Sequence, residues 1–105
     1  MRQVGRCALF LTAAFACSQV ATAYAADPKQ GAEMAKQWCA SCHLVSEGQA
    51  SATTEAPPFG TIARRSPDEF AALAGFLADP HPPMPDLSLT REEIRDLLAY
   101  IASLR

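Results

Sequence analysis

Cys39-Ala40-Ser41-Cys42-His43 is the stretch on which the fold turns. Two thiols stand three residues apart and an imidazole follows directly. Upstream, Asp27-Pro28-Lys29-Gln30 carries the signals of a helix start. Asp27 can cap, Pro28 suits the first helical position, and Gln30 stands where a capping box needs it. The pattern predicts a helix running to about Cys39. Met34, Ala35 and Trp38, at i, i+1 and i+4, form its packing stripe. Both cysteines therefore fall at the end of a helix.

Downstream, residues 44–62 have no long periodicity and hold Gly48, Pro57, Pro58 and Gly60, which reads as a loop. Ser66-Pro67-Asp68-Glu69 starts a second helix with a cap, a proline and an acid at N3. Phe70, Leu73, Ala74 and Leu77 continue it at i, i+3, i+4 and i+7, for a length of about 12 residues. Asp79-Pro80-His81-Pro82-Pro83-Met84-Pro85 is closed to helix by its prolines. In the last helix Thr90 caps, Glu93 completes a capping box, and Leu89 with Ile94 forms a hydrophobic staple. Ile94, Leu97, Leu98, Ile101 and Leu104 then share one apolar face. No run of alternating β-branched residues exists, so the expected class is all-α: three main helices joined by long loops.

The amino terminus has a different character. Arg2 and Arg6 precede an apolar run, Cys7 to Cys17, and Ala23-Tyr24-Ala25 ends in a small-x-small pattern. This is the layout of a secretory signal peptide, residues 1–25, cut between Ala25 and Ala26. A membrane anchor needs about 20 apolar residues, and Thr12, Ser18, Gln19 and Thr22 dilute this run. A lipid-anchored Cys17 is disfavoured by the bulky Phe15 two residues before it and by the lack of a Leu three residues ahead. The expected domain is residues 26–105. Without Arg2 and Arg6, seven basic residues face eleven acids, for a net charge of −4. Nothing here gives the basic footprint of a nucleic-acid binder. Export also places Cys39 and Cys42 in an oxidising compartment, the periplasm.

Eighty residues with short helices and long loops bury little surface alone, so something should fill the centre. C-x-x-C-H is the attachment signature of c-type haem. Each thiol adds across one haem vinyl group, and the adjacent histidine sits under the iron. Two other chemistries use similar residues. A thioredoxin-like dithiol needs a βαβ context that is missing here. A zinc site from Cys39, Cys42, His43 and His81 has the right ligand count, but neighbours Cys42 and His43 are awkward corners of one tetrahedron.

Haem iron takes a sixth ligand or keeps an open position. Met34 belongs to the apolar stripe of the first helix and reads as core packing. Met84 stands in a proline-fenced loop, expected to be stiff and extended, and is the candidate sulfur ligand. His81 is the competing candidate, with an exposed side chain the ordinary alternative.

With these residues in place the chain resembles the class I c-type cytochromes of bacteria. Gly31, eight residues before Cys39, stands where that family has a small residue that lets the first and last helices cross. Leu97-Leu98-Ala99-Tyr100-Ile101 matches the last-helix pattern that packs against it. Pro57-Pro58-Phe59 is similar to the family's G-P-x-[LF], with Ala56 in place of glycine. Met84-Pro85 matches the distal M-P motif. Ala35 stands where an aromatic usually packs, and Trp38 is the nearby aromatic. The resemblance implies a cytochrome c-like fold around one covalent haem c, held through Cys39 and Cys42. It also implies iron ligation by His43 and Met84, with the Pro57 carbonyl accepting the His43 ring N–H.

The implied activity is one-electron transfer between Fe(II) and Fe(III), with no small-molecule substrate and no catalytic residue. Partners would be redox proteins (a dehydrogenase, a cytochrome complex or an oxidase) met by a monomer through transient interfaces. Two alternatives share the motif: a haem subunit bound to a periplasmic dehydrogenase or terminal oxidase, and a gas-binding sensor with a displaceable Met84. With only Lys29 and Lys36 beside five arginines, a lysine ring for an acidic partner is not expected. Arg64-Arg65 reads as a solvated loop, or as a pair for a haem propionate.

Overall fold

The computed structural model describes residues 24–52 and 56–105, and all but the last two residues of the expected signal peptide, 1–25, lie outside them. Among the described residues there is helix and no strand. Helix α1, Pro28–Met34, passes without a break into a π-helical turn, Ala35–Cys39. Together they cover the length expected from the sequence, and the wider last turn delivers Cys39 at its end.

The start of α1 departs from the capping box. Asp27 accepts from the N–H groups of Lys29 and Gln30, as a cap should. Its own N–H, which Gln30 was expected to bind, donates instead to Asp96 Oδ1 at 2.7 Å. A carboxylate is a stronger acceptor than an amide oxygen, and Asp96 is buried nearby at only 6% exposure. The bond ties the first helix to the last, α5 (Arg91–Ala102).

Between these ends lie three short helices: α2 (Phe59–Ala63), α3 (Pro67–Ala71) and α4 (Leu73–Ala78). Helix α2 stands in a segment that reads as loop. It is a single turn whose first N–H groups, on Thr61 and Ile62, donate to the Pro58 carbonyl. Burial of Phe59 and Ile62, three apart, holds it, and five residues are too few to show a period. The second expected helix is divided at Ala72 into α3 and α4. The Ser66–Glu69 and Thr90–Glu93 capping boxes are both formed. Ser66 bonds hold the Glu69 carboxyl below the usual carboxylate range.

The main packing contact joins α1 to α5. It needs Gly31: a Cβ there would lie 2.0 Å from the Asp96 carbonyl oxygen and 2.8 Å from Tyr100 Cβ. Both helices press on a core of Ala35, Val45, Phe59, Ile62, Leu97 and Ile101. Met34 and Trp38 pack against that core from its edge. The far end is closed by Arg105, whose Nε donates to the Ala63 carbonyl at 2.8 Å while its guanidinium lies 4.8 Å from the Phe70 ring centre.

Gly31→Ala is therefore expected to cost about 2 kcal/mol or more through overpacking of the crossing, although alanine is the better helix former by about 1 kcal/mol. The midpoint of denaturant unfolding of the haem-loaded protein measures it.

Candidate haem site

The site grows from the C-terminal end of the first helix. Chain reversal begins at once, with the N–H groups of Cys42 and His43 both donating to the Cys39 carbonyl. Among the described residues no disulfide forms, and Cys39 and Cys42 are both thiols. Burial pushes the Cys39 thiol up to about 11, with Cys42 as the lesser cause. Cys39 is thus held neutral in an apolar setting, while Cys42 is half-buried.

His43 Nδ1 lies 2.7 Å from the Pro57 carbonyl oxygen. A carbonyl can only accept, so Nδ1 carries the proton and donates. In the neutral ring this tautomer leaves the Nε2 lone pair free, which is the form a metal ligates. The ring leans on Phe59, with centroids 5.3 Å apart, and Phe59 leans on Tyr100 at 6.5 Å. Pro57 and Phe59 are brought there by α2, whose Phe59 N–H donates to the Leu44 carbonyl at 2.9 Å.

The loop after His43 is held from two sides. The Val45 N–H donates to Gln49 Oε1 at 2.9 Å, and the Val45 carbonyl accepts from Tyr100 Oη at 2.6 Å. Gln49 Nε2 donates to the carbonyls of Ala40, His43 and Ser51 at 2.8, 3.1 and 3.0 Å. Neither Gln49 nor the Tyr100 hydroxyl stands out in the sequence. A lone glutamine in a polar loop has no periodicity to betray it, and Tyr100 reads there only as part of a packing pattern.

Met84 is carried on a different element. It is half-buried at the end of a turn closed by its own N–H on the His81 carbonyl at 2.9 Å, with a cis bond between Pro82 and Pro83. The segment is turned here rather than extended, with the hydrogen bond from Met84 to the His81 carbonyl closing it. His81 itself is exposed and meets the Phe76 ring edge-on. Arg64 and Arg65 are both exposed after α2.

The residues present suit a haem. The His43 ring is oriented through Nδ1 by Pro57, two thiols precede it at the attachment spacing, and Phe59 packs beside it. Among the described residues, no three His, Cys, Asp or Glu side chains gather into a metal-holding group. The four candidates for a zinc site are accordingly not assembled. The absence of strands from the described residues likewise removes the βαβ frame of a thioredoxin-like dithiol.

An all-helical electron-transfer protein built around haem c is the class that this motif and fold define. Residues 26–101 match the family described as cytochrome c oxidase, cbb3-type, subunit III, and the chain belongs to that family of c-type cytochromes. It is similar to cytochrome c-552 of Bradyrhizobium diazoefficiens, with 51% identity over 88 residues, 84% of this chain and 85% of the relative. No solved structure matches the chain. The protein is thus a haem c electron carrier, containing iron and working with redox partner proteins, and it is not an enzyme.

The Tyr100–Val45 bond gives the site a check of its own. Tyr100→Phe keeps the ring against Phe59 and removes only the hydroxyl, and is expected to cost about 1 kcal/mol. Equilibrium unfolding of the haem-loaded variant reads this directly.

Proposed function

We propose that the chain is a periplasmic one-electron carrier in which Cys39 and Cys42 hold one haem c by thioether bonds. His43 Nε2 and Met84 Sδ are its iron ligands. Residues 1–25 are a signal peptide and residues 26–105 the working domain. The observation that carries the reading is the 2.7 Å bond from His43 Nδ1 to the Pro57 carbonyl, beside the two thiols. The Ala25–Ala26 bond lies in exposed, non-helical chain, which suits removal of a leader. Among the described residues no helix is long and apolar enough to cross a membrane.

Haem c, when bound, supplies a one-electron Fe(III)/Fe(II) couple. The residues of the chain hold its surroundings fixed while charge changes. Pro57 fixes the tautomer and the orientation of His43, and raises the basicity of the ligating nitrogen. Phe59 backs the imidazole and Tyr100 backs Phe59, which restrains rotation of the ring. The Pro82–Met84 turn presents the thioether from a backbone with little freedom left to lose. Buried Phe59, Ile62 and Leu73 keep water from the same region and lower its dielectric.

A free carrier is the preferred form. Among the described residues the exposed large hydrophobics are Tyr24, Leu44 and Phe76, which is little apolar surface for a permanent interface. The family to which the chain belongs favours a second form, a haem subunit resident in a terminal oxidase. Size-exclusion chromatography of a periplasmic extract separates them. A haem-stained band at the mass of the single chain supports the carrier, and co-elution with an oxidase at high salt supports the subunit.

Met84→Ala is expected to abolish the weak far-red iron–sulfur charge-transfer band of the oxidised protein, lower the potential and open the iron to carbon monoxide. An unchanged spectrum would remove Met84 as the ligand. Replacing both Cys39 and Cys42 by Ala should leave no haem on a denaturing gel and a chain without helical circular dichroism. A helical double variant would contradict the role given to haem in filling the core.

A further inference from the structure

Gln49 is the most heavily bonded side chain of the loop that follows His43, and electron transfer as described does not use it. Its amide spans four backbone groups: Val45 N–H on the oxygen, and the carbonyls of Ala40, His43 and Ser51 on the nitrogen. The orientation of the amide is fixed by chemistry. Three carbonyls can only accept and one N–H can only donate, so Nε2 and Oε1 cannot be exchanged. Nε2 has two protons for three acceptors, so one proton is shared. Two of the bonded carbonyls, Ala40 and His43, lie on either side of Cys42, within the attachment motif itself.

The rest of the His43 residue is pinned by other groups. Its N–H donates to Cys39, and its ring N–H donates to Pro57. The carbonyl is the remaining backbone group, and Gln49 takes it. We infer that Gln49 is a positioning residue for the iron-ligating histidine: it fixes the peptide groups around Cys42 and His43 so that the imidazole keeps one pose in both oxidation states. This rests on His43 being the iron ligand. A packing role alone would require the volume of Gln49 but not its amide.

The experiment uses the haem-loaded protein, its Gln49→Met variant of nearly equal volume and no charge, and Arg105→Ala as a control. Arg105→Ala removes the bond to Ala63 and the contact with Phe70, far from the motif in sequence. Two quantities are read: the reduction potential, and the positions of the hyperfine-shifted His43 ring protons in the oxidised protein by NMR. Gln49→Met is expected to move both, whereas Arg105→Ala lowers the unfolding midpoint and moves neither. The inference is overturned if Gln49→Met leaves both at their wild-type values, or if Arg105→Ala moves them as far. A third measurement needs no variant. In the wild type, the Gln49 Nε2 protons should exchange with solvent at least about tenfold more slowly than an exposed amide, at rates unchanged by reduction. Exchange at the exposed rate overturns the inference even where the variant fails to take up haem. If the wild type itself shows no hyperfine-shifted His43 ring protons, the ligation by His43 fails, and that outcome is distinct from unmoved protons in Gln49→Met.

Discussion

The backbones of the first and last helices touch at Gly31, and almost every functional placement follows from that approach. With no Cβ in the way, the Asp96 turn of α5 comes within van der Waals reach of α1. Three consequences are local. Asp96 reaches the Asp27 N–H and fixes where α1 begins. Tyr100 is set down on the Val45 carbonyl and against Phe59. Ala35 and Leu97 are sealed into the core below. The loop that carries the histidine therefore hangs from the helix crossing through two aromatic side chains, and the crossing itself depends on one missing methyl group.

From there the site is a matter of removing freedom from a single imidazole. Its ring is bonded at Nδ1, backed by Phe59, and flanked by peptide groups that are themselves bonded. None of these contacts changes a bond or moves a proton during function. Their value to an electron carrier is that the surroundings need not rearrange when the charge changes. Small proteins rarely have enough core for such rigidity. This one draws on backbone hydrogen bonds in its loops, where Pro57, Gln49 and Val45 provide what buried apolar area cannot.

How much of this could be read from the sequence depended on whether a feature is local. The capping boxes at Ser66 and Thr90, the helix leading to Cys39 and the face of α5 are all set by neighbours within four residues, and each could be read directly. Gly31 could be read because a family pattern points to it, since one glycine in a helix otherwise says only that propensity is poor. The Asp27–Asp96 bond spans 69 positions and took the place of a local capping box that looked complete. Helix α2 is stabilised by burial of Phe59 and Ile62 rather than by periodicity, and so it passed for loop. Gln49 and the Tyr100 hydroxyl act on backbone atoms, which are the same in every residue and leave no trace in the order of side chains. Comparison with relatives supports the haem and the electron-transfer class, whereas the proposed ligands rest on their sequence motifs and, for His43, on its bond to Pro57.

The long span of these tethers also sets an order of events in time. Asp27 waits for Asp96, Val45 waits for Tyr100, and Ala63 waits for Arg105. Each of these bonds joins an early part of the chain to the segment 96–105, so none can form until that segment has arrived. Cys39, Cys42 and His43 lie between the two halves. Until that segment arrives they stay on a stretch of chain that has not yet closed over itself, open to whatever delivers the haem. Folding then shuts behind the cofactor, with the last ten residues acting as the clasp.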